Sequence, residues 1–318
     1  MPRLTISNLA FITFLALKNT PLAFLTAYSY ERLNVLHRAA GYCTVICSIV
    51  HAIVYIQAFN ISDDLHELKL TSNLVGIVAG VAMCLIAVTS LLIRKVRYEV
   101  WYLAHVTFYV LIVICVGMHR PKISTHSVIV AIFVGALWFS DRLIRFAKLT
   151  FFSVGNSATI TPLPNGGTRI VLGKCPVRTE PGTHCFLWIP RVRGFETHPF
   201  TVASAGDGSM SFVVAAYDGF TRDLHNYAVK NPGAQLRASI DGPYGTVPDF
   251  TMYDKIVLIA GGSGGSFTFG IAINTIRKLA TDSKSLIEFV WVVREHGVYS
   301  FQTQRIRDLI LNRIYFVV

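Results

Sequence analysis

Four histidines stand at a spacing suited to iron chemistry. His37 and His51 lie in one apolar run, His105 and His119 in another, and the members of each pair are 14 residues apart. Along an α-helix that separation returns to nearly the same face and rises about 21 Å, most of the hydrocarbon core of a bilayer. Each run therefore carries two imidazoles on one stripe, one near each membrane surface. Neutral imidazole is a strong axial ligand for haem iron, and a haem held between two helices takes one histidine from each. Two such pairs make room for two haems stacked across a membrane. The alternative is a set of ordinary intramembrane histidines hydrogen-bonded inside a bundle. Ionisable groups at that depth are costly and usually functional, and the spacing shared by two runs favours haem.

The runs that must position these histidines dominate the first half of the chain. Of 318 residues, 53% are hydrophobic and only 15% charged, and the mean hydropathy of +0.50 is too high for a soluble enzyme of this length. Residues 1–149 hold the long apolar runs, while 150–318 read like a soluble α/β protein. After a short run at 8–17, read as an interfacial or partly spanning segment, come four runs long enough to span, at 34–57, 71–93, 98–119 and 124–148. The net charge of +11 could suit nucleic acid, but basic residues next to apolar spans are the normal signature of cytoplasmic membrane flanks. No basic stripe interleaved with aromatics is present, which argues against nucleic acid. The six cysteines form no C-x-x-C pair, and Cys43, Cys47, Cys84 and Cys115 read as small hydrophobes in apolar runs.

Charge then sets the orientation. Arg94-Lys95-Val96-Arg97 and the segment with Arg142, Arg145 and Lys148 go to the cytoplasm, and the acidic loop with Asp63, Asp64 and Glu67 to the far side; Arg120 and Lys122 are a minor exception. The first and third spans then run the same way. His37 lies level with His105 on the inner side and His51 with His119 on the outer side, since crossed pairing would ask an iron to bridge about 20 Å. His66 and His126 fall in outer loops and read as solvated.

The second half changes to short β-type runs at 159–163, 167–172, 184–190 and 211–216, which predict a small barrel or sandwich. A buried-strand run at 255–260 leads into Gly261-Gly262-Ser263-Gly264-Gly265, a helical run to about 280, and a second strand over 286–294. A glycine-rich turn between strand and helix lets backbone N–H groups approach a pyrophosphate at the helix N-terminus, although glycines also occur simply at tight turns. Arg294 stands where an NAD site would carry an acidic residue, and a cation there suits the 2′-phosphate of NADPH. A surface arginine at a strand end is the alternative. His198-Pro199-Phe200-Thr201 and Asp241-Gly242-Pro243-Tyr244-Gly245 show, by composition, only turn chemistry.

Several stretches together resemble the fungal ferric/cupric reductase transmembrane component family, which shares a superfamily with the NADPH oxidases. They are Ser29–Asn34 leading into Leu36-His37-Arg38, the two histidine offsets, Phe139-Ser140-Asp141-Arg142, 181–190 (PGTHCFLWIP), 198–204 (HPFTVAS), Gly219-Phe220-Thr221-Arg222 and Gly242–Gly245. The resemblance covers nearly the whole chain. It implies that His198, Pro199, Phe200 and Thr201 contact an FAD, that Thr221 faces its pyrophosphate, and that Gly261, Gly262, Ser263 and Gly264 cradle that of NADPH. The implied fold is a multi-domain membrane protein: an α-helical bis-haem transmembrane bundle (1–149), an antiparallel β-barrel FAD-binding domain (150–250) and a partial α/β NADPH-binding domain (251–318). The implied activity passes electrons from cytosolic NADPH through FAD and two haems to extracytoplasmic Fe(III) or Cu(II) and their chelates, with a link to iron uptake. A superoxide-generating NADPH oxidase and a non-catalytic haem protein are the alternatives. The plasma membrane is the family's location, and a vacuolar membrane is equally compatible with the topology. The family pattern includes more sequence before Met1 and a Cys-Gly-Pro-type motif beyond Val318. The reading is therefore of a truncated member that binds NADPH poorly.

Overall fold

Apolar runs too long for strands and free of internal proline fold as helices in the N-terminal half. The computed structural model describes residues 2–20, 30–119, 125–164, 166–279, 285–292 and 314–317. The chain divides into two units, 1–144 and 145–318.

In the first unit α1 (Pro2–Ala16) is followed by α2 (Tyr30–Ile61), a short 3₁₀ turn, α3 (Thr71–Leu92), α4 (Tyr98–Met118) and α5 (His126–Ser153), the last continuing into the second unit. The helices α2 to α5 are long and apolar enough to cross a membrane. Their outward faces carry exposed Ile46, Ile53, Leu103, Ile132 and Phe133, as surfaces in contact with lipid require. Small residues let helices approach closely where no hydrophobic force drives them together, and Ala79 and Ala82 are the buried face of α3 together with Met83.

Although shorter than a span, α1 is built into this unit. Leu9 packs with Ala82, Met83 and Ile112, and Leu15 is almost fully buried. Just beyond it, the backbone N–H and side-chain amide of Asn19 donate to Asp141 Oδ1 (2.9 and 3.0 Å), while Arg142 pairs with Oδ2 at 2.6 Å. Asp141 is thus a buried carboxylate with its lone pairs satisfied, the condition for a charge at such a place.

The second unit opens on the last turns of α5. Strands β1 (Ser157–Leu163), β2 (Gly167–Leu172), β5 (Ser204–Gly206), β6 (Ser209–Ala215) and β7 (Gln235–Arg237) form one antiparallel sheet in the order β5-β6-β2-β1-β7. A second, ordered β4-β3-β8, is made by β3 (His184–Trp188), β4 (His198–Thr201) and β8 (Ser239–Tyr244). The period-2 alternation of a half-buried strand places Ile160, Ile170, Leu172, Leu187, Phe212 and Ile240 in the shared core. Helix α6 (Phe220–Lys230) adds Phe220, Leu224 and Ala228 from one face.

The expected closed barrel is not what the ladders form among the described residues. The chain bends at Val202–Ala203 and at Ala238, and each bend carries it from one sheet to the other. Val202 N–H donates to Thr183 O and Ala203 N–H to Ser211 O, single bonds in place of a ladder. Two sheets sharing corner strands result.

Parallel strands β9 (Lys255–Gly261), β10 (Leu286–Val292) and β11 (Ile314–Val317) follow in the order β11-β10-β9. Helix α7 (Gly265–Lys278) covers one face, with Phe269 stacked on Phe289 at 4.2 Å and edge-on to Trp291. Gly270 lets α7 lie against the antiparallel sheets: a Cβ there would stand 3.1 Å from Gly182 N and 3.2 Å from Val202 O.

Candidate functional site

The same-level pairing follows directly from the helix geometry. The rings of His37 (α2) and His105 (α4) have centroids 6.3 Å apart, and those of His51 (α2) and His119, the residue closing α4, are 6.2 Å apart. Two imidazoles bonded in line to one iron, each at about 2 Å, put their centroids about 6 Å apart. Both pairs have the separation that a shared metal needs. Each also has one anchored and one unanchored ring. His37 Nδ1 donates to the Ile12 carbonyl of α1 (2.8 Å), and His119 Nδ1 to the Ser72 carbonyl of α3 (2.6 Å). The buried Nδ1 atoms of His51 and His105 have no hydrogen-bond partner among the described residues. A backbone carbonyl on Nδ1 fixes the tautomer that leaves Nε2 free to bind a metal. The residues therefore fit two haems: one histidine from α2 and one on or closing α4 would hold each.

On the antiparallel sheets, His198–Thr201 is the edge strand β4, where a proline's missing N–H costs no ladder bond. Side chains alternate across a strand, so His198 and Phe200 share one face and Pro199 and Thr201 the other. His198 stacks on Phe220 at 4.5 Å, and Phe200 faces the same ring at 6.0 Å. A ligand on one face of β4 thus meets two of these four side chains and reaches the others only through backbone. His198 Nε2 also bonds Glu196 (3.0 Å), whose carboxylate receives Arg193 Nη1 at 3.0 Å, and Arg193 reaches on to Asp223 at 2.9 Å. Partial burial pushes the Glu196 carboxyl up, but the hydrogen bonds from Arg193 and His198 outweigh it and hold the group below its usual range. Thr221 lies in the first turn of α6 after Gly219, and its hydroxyl oxygen accepts the Tyr217 N–H at 2.9 Å. Its own O–H remains available to donate to an acceptor at that helix end.

The glycine turn leaves β9 at Gly261, passes through a 3₁₀ turn at Gly262–Gly264 and enters α7. A Cβ at Gly261, Gly262 or Gly264 would meet nothing within 4 Å. Only Gly262, at φ +50°, needs glycine for its backbone. Internal packing does not explain the other two, whereas a ligand approaching the backbone at a helix N-terminus does. Gly265 differs: its Cβ would fall 2.9 Å from Trp291 Nε1, which donates to Gly262 O at 2.8 Å. Arg294 lies outside the described residues.

Sequence reasoning missed the supports of these sites. Gly76 of α3 abuts the His119 ring, yet with Gly80 it reads in sequence only as a small-residue packing motif. Glu196 was findable, because it stands two residues before His198. The partner of Asp241 was not. Asp241 is fully buried, pairs with Arg145 at 2.6 Å and receives the Tyr244 hydroxyl, a contact across 96 residues that no local pattern encodes.

Four membrane-length helices thus precede two antiparallel sheets and a glycine turn that opens a parallel sheet. Comparison with known proteins makes this specific. The model described as ferric reductase like transmembrane component matches residues 1–116, that of an FAD-binding domain 158–248, and that of the ferric reductase NAD binding domain 253–313. The chain thus matches ferric reductase models over its membrane half and its C-terminal part, with an FAD-binding domain between them, and it is a multi-pass membrane protein. A probable cell surface ferric reductase of Aspergillus oryzae is 24% identical over 96% of this chain and 44% of its own length. Ferric reductase transmembrane component 5 of Saccharomyces cerevisiae is 24% identical over 94% and 44%, and ferric/cupric reductase transmembrane component 2 of Schizosaccharomyces pombe 25% over 93% and 61%. The chain thus spans about half the length of the curated relatives it matches.

Proposed function

We propose that this chain carries electrons from cytosolic NADPH through FAD and two b-type haems to Fe(III) or Cu(II), free or chelated, on the far side of a membrane. The two histidine pairs at 6.2–6.3 Å carry this reading; the matched FAD and NAD domains supply the other end. When bound, these groups supply the conversion of a two-electron hydride into single electrons and their passage across the span.

The chain's own residues have separable tasks. His37 with His105 would hold the inner haem, and His51 with His119 the outer. The backbone at Gly261–Gly264 would receive the NADPH pyrophosphate, with Arg294 at the 2′-phosphate. Edge strand β4 and Thr221 at the start of α6 would hold the flavin and its pyrophosphate. Basic Arg94, Lys95 and Arg97 favour a cytoplasmic position for that end of α3 and α4. A metal acceptor rather than oxygen is favoured by the names of the relatives, ferric and ferric/cupric reductases, and the plasma membrane by the one called cell surface.

Replacing the histidines one at a time tests the pairing. His37→Ala and His105→Ala should each abolish the same one of two haem signals in the reduced-minus-oxidised spectrum, and His51→Ala and His119→Ala the other. Loss of different signals by His37→Ala and His105→Ala would refute pairing by level.

A further inference from the structure

Helix α3 carries no histidine, yet it meets the outer pair. His119 Nδ1 donates to the Ser72 carbonyl at 2.6 Å. One turn further along, a Cβ on Gly76 would stand 2.5 Å from His119 Nδ1 and 2.6 Å from Cε1. Those distances are about 1 Å short of van der Waals contact. Rotation cannot relieve them while the ring keeps both its bond to Ser72 and its 6.2 Å separation from His51. Gly80, the next turn of the same helix, meets nothing within 4 Å. Helix packing therefore does not explain why a side chain is excluded at Gly76 in particular.

We infer that Ser72 and Gly76 form a seat for the His119 imidazole, with Gly76 a positioning residue that sets the orientation of the outer haem's axial ligand. The seat rests on the bis-haem reading above. The Ser72 carbonyl fixes the ring by its Nδ1–H, leaving Nε2 for iron, and the bare Gly76 backbone leaves room for the ring's edge. His119 closes its helix and has no following turn to pack its ring from that side, and the neighbouring helix fills that place. The inner pair has a counterpart in the bond from His37 to the Ile12 carbonyl, without a glycine contact of this kind among the described residues.

The test uses the full chain purified from membranes, reading haem per polypeptide and the low-spin EPR signals of the oxidised protein, which report axial-ligand orientation. Gly76→Ala should shift or remove the same signal that His119→Ala removes and leave the other intact. Gly80→Ala should change neither. The double variant Gly76→Ala/His119→Ala should match His119→Ala, because no ring remains to be displaced. If Gly76→Ala fails to accumulate, recovery in the double variant to the His119→Ala level supports the seat, and no recovery overturns it. Two unaltered signals in Gly76→Ala overturn the seat alone; a wild-type chain without haem overturns the bis-haem reading and the seat together.

Discussion

Asp241→Asn perturbs the second unit at one charge while nearly preserving shape. Asp241 is fully buried, and Arg145, only 14% exposed by its side chain, bonds it at 2.6 Å. The substitution keeps an acceptor for the Tyr244 hydroxyl but turns an amide toward the guanidinium. Removing one partner of a buried ion pair costs about 3–5 kcal/mol, because the remaining charge stays desolvated. With a urea dependence of about 2–3 kcal/mol per M for a unit of this size, the unfolding midpoint should fall by about 1–2 M. Pulse proteolysis of the full chain in detergent across a urea series reads that midpoint from the protected fragment. Arg145→Met/Asp241→Leu, which removes both charges, should recover most of the loss. A midpoint for Asp241→Asn within about 0.3 M of the parent, below about 1 kcal/mol on that slope, would refute the assignment of this pair as a structural tie.

Other outcomes follow from the same geometry. Burial, reinforced by Asp241, pushes the Cys185 thiol up to about 12; because the thiolate is the reactive form, Cys185 should resist maleimide at pH 8 until the unit is unfolded, as mass spectrometry of labelled peptides would record. Gly265→Ala drives a methyl into Trp291 and should cost about 2–4 kcal/mol through overpacking and the lost bond to Gly262, seen as a lower urea midpoint. Glu196 contributes stability that is complete above its unfolded value of 4.5 and is lost as pH falls through its lower folded value. Glu196→Gln should therefore flatten the loss of stability below pH 4.5, and an unchanged acid limb would remove Glu196 from the network.

What could be read from sequence was periodic. The four long helices lie within a few residues of their expected ranges, because an apolar run of twenty or more residues has few other solutions. The 14-residue offsets placed the histidines level because helical rise is fixed. Strands β4, β5, β7 and β8 gave no alternation to read, being short or interrupted by Pro199, Pro243 and glycines. The barrel expectation failed for a related reason: the bends at Val202–Ala203 and Ala238 are set by which partner accepts each N–H (Thr183, Ser211 and Asn156), and no local pattern names those partners. The same holds for α1, whose short apolar run says nothing of the carbonyl it offers to His37. Gly76 shows the limit most plainly, since Gly76 and Gly80 look equivalent in sequence and only the fold brings one of them against a ring.

The central claim is an electron path built on two histidine pairs and a flavin site in one chain. The most direct test is the dithionite-reduced minus oxidised spectrum of the membrane-purified protein, with haem and flavin counted per polypeptide. The account predicts two b-type haems and one FAD. A chain without haem, its four histidines intact, would contradict it.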